Sequence, residues 1–569
     1  MYALLAISPI ILAIALMVFF RVKSGKAMIA AWFLCVVFAA VFWKMGPIHL
    51  FAYTAYGFLV SIDTILIVFG AIFLLNGLIN LGFIASIGYG FRSITQDRRI
   101  QILIIGWLFT CFLEGAAGFG SPGALAAPLL VGLGVPPFAA GLSALIGTSV
   151  PTTFGAVGTP PLTGFQTILP SIQAAFPHLE PAAFSSQLFT RMAFTNIFLG
   201  SLVPFMMIAS IVARDGRKNG MRDAVAIWPL CLFAGLVFTV PVYIVVTFVG
   251  PEMGSLLGGL IAMLVFIPAV KGGFLVPKES YRFLHDTAME NAQVGKAGND
   301  GYTAKAGNDG KNGKDGKPGV SLPLAWSPYV VIALILVASR LPWLPIRDWI
   351  NDPSRSIVWR GIFGFSGIDW TWRYLNNPGL IPFVPVALGY MLCGGMNIRA
   401  CTEVFAKTRK QTTNAVVALL FGIALVQVMR YTNYGSPGGG PEAMTTEVAK
   451  ALAAAFGRLY PLVSPFVGAF GSIVAGSNTV ANIMFMALQF EAALLVGLPT
   501  VLIAMSQSIG GAIGNMVCIH NVVAITATTQ GEGKEGALLS AAVLPCLIYA
   551  LLLSAALFIF LAIGLDWVA

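Results

Sequence analysis

The stretch LEGAAGFGSPGALAAP, at residues 113–128, places an acidic residue and a glycine-rich turn inside one of the most apolar parts of the chain. A similar stretch, NYGSPGGGP, follows much later, at residues 433–441. Five aligned positions differ by a single Phe/Tyr exchange, since Phe119-Gly-Ser-Pro-Gly123 is nearly repeated as Tyr434-Gly-Ser-Pro-Gly438. The repetition raises the question of whether the whole chain is built from two related halves.

A second pair of similar stretches has nearly the same spacing. Gly120 and Gly435 are 435 − 120 = 315 positions apart. Residues 149–155 (SVPTTFG) resemble residues 464–471 (SPFVGAFG) at an offset of 315 with a small insertion. Two matches at one spacing indicate a duplicated half.

Composition places the chain in a membrane. It has 57% hydrophobic and 10% charged residues, with a mean hydropathy of +0.86, whereas soluble proteins carry about 25% charged residues. Several apolar runs approach the ~20 residues that cross a bilayer as a helix. The sequence therefore predicts an all-α integral membrane protein, polytopic, with about ten to fourteen spans.

The polar segments divide this membrane protein into two halves. Residues 271–320 form the long hydrophilic insert, in which KAGNDG occurs twice, and such a composition cannot bury a core. We predict a flexible cytoplasmic linker between an N-terminal half, residues 1–270, and a C-terminal half, residues 321–569. Basic residues concentrate in short loops that tend to stay in the cytoplasm, so the net charge of +10 requires no nucleic-acid partner.

Glycine- and proline-rich breaks interrupt the apolar runs of both halves. Irregular backbone at membrane depth survives only where protein or a wet cavity satisfies its polar groups. Paired halves with interrupted helices are typical of secondary transporters. We therefore predict two inverted repeats with broken helices and re-entrant hairpins, the main breaks being Gly115 to Gly123, Thr148 to Pro161, Tyr431 to Pro441 and Gly471 to Thr479.

Small polar residues gather in or beside these breaks. Half-helix N-termini present free N–H groups and a positive dipole end, which suit a small anion such as a carboxylate. Close packing of small residues between helices is the alternative explanation for any one glycine-rich patch. The candidate substrate-binding residues are Gly118, Gly120, Ser121, Thr152, Thr153, Arg430, Ser477, Asn478, Thr479 and Asn482.

Three charged residues within apolar runs need an explanation. Glu114 costs about 2.5–3.5 kcal/mol at the bilayer centre on insertion scales, so it needs a partner or a proton. We favour a role in proton coupling over a structural hydrogen bond. Arg430 could pair with the substrate carboxylate or with Glu114, or its side chain could extend to the membrane surface. Asp63 is predicted to cap the helix that follows it.

Enzymatic motifs do not fit this chain. GFGSPG lacks the soluble strand–turn–helix setting of a dinucleotide site, and neither a Walker A sequence nor an HExxH motif occurs. The seven cysteines are scattered without metal-ligand spacing. We expect no cofactor, no metal site and no catalysis.

Four ordered motifs, at residues 113–130, 151–160, 464–485 and 506–525, resemble the bacterial L-lactate permease family. They read LEGAAGFGSPGALAAPLL, PTTFGAVGTP, SPFVGAFGSIVAGSNTVANIMF and SQSIGGAIGNMVCIHNVVAI. The resemblance implies proton-coupled uptake of L-lactate, D-lactate or glycolate across the bacterial cytoplasmic (inner) membrane. It further implies two inverted repeats within a wider ion transporter group. In related dicarboxylate transporters, turns like Gly476-Ser-Asn-Thr479 hold carboxylate and sodium.

The resulting hypothesis is a multi-pass proton symporter whose partners are a small carboxylate, a coupling proton and the lipid bilayer. A sodium-coupled carboxylate transporter is the alternative within the same superfamily, and an ion channel or membrane-embedded enzyme is the alternative outside it. The sequence leaves open the preference between lactate and glycolate and whether the protein is a homo-oligomer.

Overall fold

The structure is a computed structural model in which residues 1–18, 20, 22–91, 94–118, 121–216, 220–284, 320–340, 344–365, 368–433, 441–529 and 535–564 are described. Helices of the first half are α1 (Tyr2–Val18), α2 (Ser24–Val41), α3 (Pro47–Asn80), α4 (Phe83–Gly90), α5 (Arg98–Ala116), α6 (Ser121–Gly132), α7 (Pro137–Gly147), α8 (Gly155–Ala175), α9 (Pro181–Val212), α10 (Gly220–Val225), α11 (Trp228–Phe248) and α12 (Gly254–Lys271).

Helices of the second half are α13 (Leu322–Arg340), α14 (Pro345–Asn351), α15 (Val384–Cys393), α16 (Ile398–Arg430), α17 (Met444–Phe456), α18 (Tyr460–Ala475), α19 (Asn478–Val496), α20 (Thr500–Gly514), α21 (Ile519–Thr528) and α22 (Glu535–Ile563). Two short strands, β1 (Ile357–Trp359) and β2 (Trp370–Trp372), pair antiparallel between α14 and α15.

Many of these helices are long and apolar enough to cross a membrane, with α17 and α18 counted together as one span, Met444–Ala475. Within the described residues there are 11 such helices, or up to 12 if a bent pair is counted as one span. A helix satisfies its backbone hydrogen bonds internally, which is what the bilayer core demands. The predicted all-α, polytopic fold class is confirmed.

The bent pair is α7 and α8, which meet at an angle of 48°. Between them lies a 3₁₀ turn, Pro151–Phe154, and the start of α8 contains three residues with left-handed backbone, Ala156 (φ 42°), Val157 (φ 57°) and Gly158 (φ 69°). A left-handed conformation costs an L-residue about 1–2 kcal/mol. Such strain persists only where the surrounding structure holds the backbone in place. The packing around this turn therefore fixes its conformation.

The corresponding turn of the second half joins α18 to α19. Gly476 has φ 74° and ends α18, and Ser477 precedes the first helical residue, Asn478. The Ser477 side chain makes no capping hydrogen bond. The N–H groups in the first turn of α19 are therefore available to another acceptor.

The order of helices and breaks from α5 to α9 matches the order from α16 to α20. After α5 the chain breaks, forms α6 and α7, breaks again and continues as α8 and α9; after α16 it does the same with α17, α18, α19 and α20. The 3₁₀ turns Gly200–Leu202 and Asn515–Val517 occupy matching places at 515 − 200 = 315. This agreement supports the duplication, while the inverted orientation of the halves and their exact boundaries stay predictions.

Asp63 has a different role from the predicted helix cap. It lies within the unbroken helix α3, and its Oδ1 accepts hydrogen bonds from Trp372 Nε1 at 2.9 Å and Asn377 Nδ2 at 3.0 Å. The cap prediction was wrong because α3 runs for 34 residues through this position. Asp63 instead links the segment that follows β1 to α3 through these hydrogen bonds with Trp372 and Asn377.

The beginning of the hydrophilic insert is packed against the membrane domain. Asp97 Oδ2 accepts hydrogen bonds from Arg99 Nη2 at 2.7 Å and from the Tyr281 N–H at 3.1 Å. Arg99 Nη2 also donates to the Glu279 carbonyl oxygen at 3.0 Å. Residues 272–284 are thus tied to the start of α5, and the flexible-linker prediction now concerns residues 285–319, which lie outside the described residues.

Candidate functional site

The breaks of the two halves meet around a small polar cavity. It is bounded by the end of α5, the strained turn at the start of α8, the Gly476 turn, the start of α19 and the end of α20. About 20 Å³ is open to water-sized molecules, which is room for about one water. The lining residues are Glu114, Thr152, Gly155, Ala156, Pro160, Gly476, Ser477, Asn478, Thr479 and Asn515.

Glu114 brings a carboxyl group to this cavity. The residue is 3% exposed, and its Oε2 has no hydrogen-bond partner among the described residues. The Glu114 side chain has a hydrogen bond with Thr152, but a buried charged carboxylate with one oxygen atom unpartnered and no cation beside it is unfavourable. The position therefore calls for a proton or for a ligand in the cavity.

Asn478 faces the same cavity from the start of α19. Its Nδ2 donates to the Ser508 carbonyl oxygen at 3.1 Å, whereas its Oδ1 has no partner within the described part of the chain. Ser477 and Thr479 flank it in the lining. All three predicted residues of this turn are thus brought together at one helix N-terminus.

Thr152 and Thr153 point to different places. Thr152 lines the cavity, donating its hydroxyl to the Thr148 carbonyl oxygen at 2.6 Å and accepting from Asn515 Nδ2 at 3.0 Å. Thr153 Oγ1 instead accepts from Asn196 Nδ2 at 3.2 Å, away from the lining residues. The structure places Thr152 at the site and Thr153 behind it.

Asn482 supports the cavity from the next turn of α19. Its Nδ2 donates to the Pro160 carbonyl oxygen at 3.0 Å and to Ser508 Oγ at 3.1 Å. Its Oδ1 accepts from Gln507 Nε2 at 3.3 Å. Because these bonds join α8, α19 and α20, Asn482 positions the lining helices relative to one another.

The first glycine-rich break approaches the strained turn. Gly118 has φ 57°, and a β-carbon on it would lie 2.7 Å from the β-carbon of Ala156. Only glycine fits a left-handed position with so close a neighbour. Gly120 lies outside the described residues; Ser121 begins α6, and its side chain is likewise not described.

Arg430 lies away from the cavity. Its Nη1 donates to the Thr167 carbonyl oxygen and its Nη2 to Ser171 Oγ, both on α8. Thr167 is seven residues beyond Pro160, the last cavity residue of α8, or roughly 10 Å along a helix at 1.5 Å per residue. The structure therefore does not pair Arg430 with Glu114.

Sequence reasoning did not select Gly155, Ala156, Pro160 or Asn515 as individual site residues. The first three belong to the predicted break Thr148 to Pro161, and Asn515 ends the polar stretch SQSIGGAIGN at residues 506–515. Asn515 could have been selected from the sequence because it is a polar residue at the end of a glycine-rich helix.

A polytopic helical membrane protein with an enclosed polar cavity at its helix breaks has the architecture of a membrane transporter. The chain belongs to the L-lactate permease family, whose model matches residues 2–564. It is a permease rather than an enzyme, and a multi-pass protein of the bacterial inner membrane.

Relatives from several bacteria match most of the chain. The chain is 27% identical over 577 residues to "Glycolate permease GlcA" of Escherichia coli K12, covering 96% of this chain and 93% of the relative. It is 26% identical over 562 residues to the "L-lactate permease" of the same strain, covering 93% and 91%. The "L-lactate permease" of Bacillus subtilis is 27% identical over 557 residues, covering 94% and 91%.

Two solved transporters resemble the structure. The Neisseria gonorrhoeae MtrF structure has a TM-score of 0.47 and 14% identity, covering 95% of both chains. The Alcanivorax borkumensis YdaH transporter has a TM-score of 0.45 and 13% identity, covering 96% of this chain and 99% of that one.

Proposed function

We propose that this permease takes up L-lactate and related small 2-hydroxymonocarboxylates, D-lactate and glycolate, by proton symport. The observation that carries the proposal is the cavity, in which Glu114, whose Oε2 has no partner among the described residues, lies in the same small space as the uncapped N-terminus of α19. One group can exchange a proton, and the other can hold an anion. The family's relatives include proteins named for L-lactate and glycolate.

The α19 N-terminus is the proposed carboxylate site. Free N–H groups and the positive end of the helix dipole favour an anion there. Ser477, Asn478 and Thr479 add hydroxyl and amide donors beside them. A hydrogen bond to a charged group contributes roughly 1.5–3 kcal/mol, so a few such bonds suffice for a micromolar to millimolar substrate.

Glu114 is the proposed proton carrier. A carboxylate substrate brings one negative charge into the protein, and a proton on Glu114 makes the loaded site neutral. Moving an uncompensated charge through a low-dielectric interior is expensive. The proton and the substrate therefore travel together more readily than either does alone.

The cavity must widen to admit substrate. It has room for about one water, whereas lactate has six non-hydrogen atoms. Here Gly118, after α5, contacts Ala156, at the start of α8, and Asn482 on α19 is hydrogen-bonded to Pro160 on α8. We infer that separation of these contacts opens the site.

A sodium-coupled carboxylate transporter is the second candidate. Glu114 Oε2 and Asn478 Oδ1 are both unpartnered oxygen atoms of the cavity lining, within the described residues. Oxygen atoms of carboxylates and amides are also the ligands that hard cations prefer. The choice of coupling ion is therefore an experimental question.

Exchange in proteoliposomes tests the proposal. Vesicles loaded with unlabelled L-lactate should take up labelled L-lactate by saturable exchange, and D-lactate and glycolate should compete. Propionate, which lacks the hydroxyl group, should compete less well if hydroxyl recognition contributes. Current without saturable exchange would indicate a channel, and chemical conversion without transport would indicate an enzyme.

A further inference from the structure

A second charged site lies where α16 ends, with Ser171 at its centre. Arg430 is 7% exposed and donates through Nη1 to the Thr167 carbonyl oxygen and through Nη2 to Ser171 Oγ. On its other side, Ser171 Oγ donates to Oε1 of Glu491 at 3.4 Å. One hydroxyl group thus touches both a buried cation and a carboxylate.

The two charges are held near each other without a direct ion pair in the described structure. Glu491 Oε2 accepts a hydrogen bond from Thr446 Oγ1 at 3.0 Å, which fixes the carboxylate on the α17 side. A guanidinium group carries five N–H donors, and Arg430 uses two of them in the bonds to Thr167 and Ser171. Arg430 therefore keeps donors for an additional acceptor.

Glu491 is the acidic residue among the described electrostatic neighbours of Arg430. These neighbours are Glu491, Tyr431 and Tyr56. Tyr431 stacks on Tyr53 with a ring separation of 4.3 Å, which holds the end of α16 against α3. An arginine fixed in this way recognises a planar carboxylate well, because its fork of donors can make two parallel bonds.

We propose that Arg430 and Ser171 form a second carboxylate-binding station for the transported substrate, and that Glu491 competes with the substrate for Arg430. This inference rests on the proposed function, because it concerns the same carboxylate. When substrate arrives, Arg430 turns its donors to the incoming carboxylate, and Thr446 retains Glu491. When substrate leaves, Glu491 compensates the charge of Arg430 again.

The station and the cavity share one helix. Thr167 and Ser171 follow the cavity residue Pro160 on α8 by seven and eleven positions, roughly 10 and 16 Å at 1.5 Å per residue. A carboxylate released by Arg430 can thus reach the cavity by moving along α8. The start of α19 lies at the cavity and Glu491 lies near its end, so α19 borders both places.

Initial rates of labelled L-lactate uptake test this proposal in proteoliposomes at a fixed pH gradient. Glu491→Gln removes the competing charge and should lower KM about threefold or more, whereas Arg430→Gln should raise KM about tenfold. The double variant should show the KM of Arg430→Gln alone, because the competition acts through Arg430. Glu447→Gln, an acid in the first turn of α17, is the matched control and should keep the wild-type KM.

A purely structural role predicts a different pattern. Glu491→Gln would then lower the unfolding temperature and leave KM unchanged or raised. The effects of the two single variants on KM would also add. Either result on KM overturns the proposal. If Glu491→Gln does not fold, Thr446→Val releases Glu491 from its anchor and should raise KM; an unchanged KM then contradicts the proposal. Absence of lactate uptake by the unmodified protein would instead refute the proposed function.

Discussion

Glu114 and Gly155 lie in direct contact across the cavity. A β-carbon on Gly155 would be 2.7 Å from Oε1 of Glu114, closer than any ordinary contact between carbon and oxygen. The absence of a side chain at residue 155 allows the carboxyl group of Glu114, on α5, to lie beside the strained turn at the start of α8. The first break and the second break of one half are thereby joined at the proposed proton site.

Gly155→Ala should therefore displace the Glu114 side chain. We expect proton-driven lactate uptake to fall about tenfold or more, because small misplacements of a functional group carry large costs. Gly389→Ala is the matched control, since a β-carbon at that position meets no atom within 4 Å. Equal uptake by the two variants would show that the position of Glu114 is not critical.

Glu114→Gln should separate exchange from accumulation. The amide resembles the protonated acid in shape and charge, so lactate should still bind and exchange across the membrane. Accumulation driven by a pH gradient should be lost, because among the described lining residues no other side chain can then release a proton. Both assays are run on the same purified variant, and full proton-driven accumulation would rule out Glu114 as the carrier.

Asn478→Ala should weaken apparent lactate affinity by about tenfold or more, the cost of one or two hydrogen bonds to a carboxylate. The Asn478 amide lines the cavity: its Nδ2 is the donor available to a carboxylate, and its unpartnered Oδ1 can accept from the substrate hydroxyl group. Asn80→Ala, at the exposed end of α3, provides the control. Unchanged affinity in a folded Asn478→Ala protein would move the carboxylate site elsewhere.

Replacement of residues 285–319 by a neutral flexible segment of equal length should leave transport intact. Their composition cannot bury a core. Extending the replacement to residue 279 should reduce stability, because it removes the Tyr281 side chain, whose hydroxyl group donates to Asp215 Oδ2 at 2.6 Å. The measurement compares uptake and unfolding temperature for the two replacements; loss of uptake by the shorter one, in protein that reaches the membrane, would contradict the prediction.

The sequence predicted the helices and breaks of this transporter better than it predicted which side chains contact one another. Composition and apolar runs fix a polytopic helical membrane protein, and glycine and proline mark the breaks because few other residues tolerate them. The partner of a charged side chain depends on how distant helices pack. The structure brings Glu114, Asn478 and Thr152 together in one cavity lining, while Arg430 lies with Ser171 and Glu491.

The same limit applies to Asp63 and Gly155. An acid followed by an apolar run looks like a helix cap, and only the unbroken course of α3 shows that Asp63 instead accepts from Trp372 and Asn377. Gly155 is one glycine among many in the sequence. Its importance follows from the carboxyl group beside it, which lies on another helix.

The central claim is that substrate and proton cross the membrane together. Its most direct measurement is labelled L-lactate uptake into proteoliposomes of the purified protein, with either an inward proton gradient or an inward sodium gradient imposed. We predict accumulation above equilibrium with the proton gradient, abolished by a protonophore and unaffected by removal of sodium. Accumulation driven by the sodium gradient alone, or equilibration without accumulation under either gradient, would contradict the account.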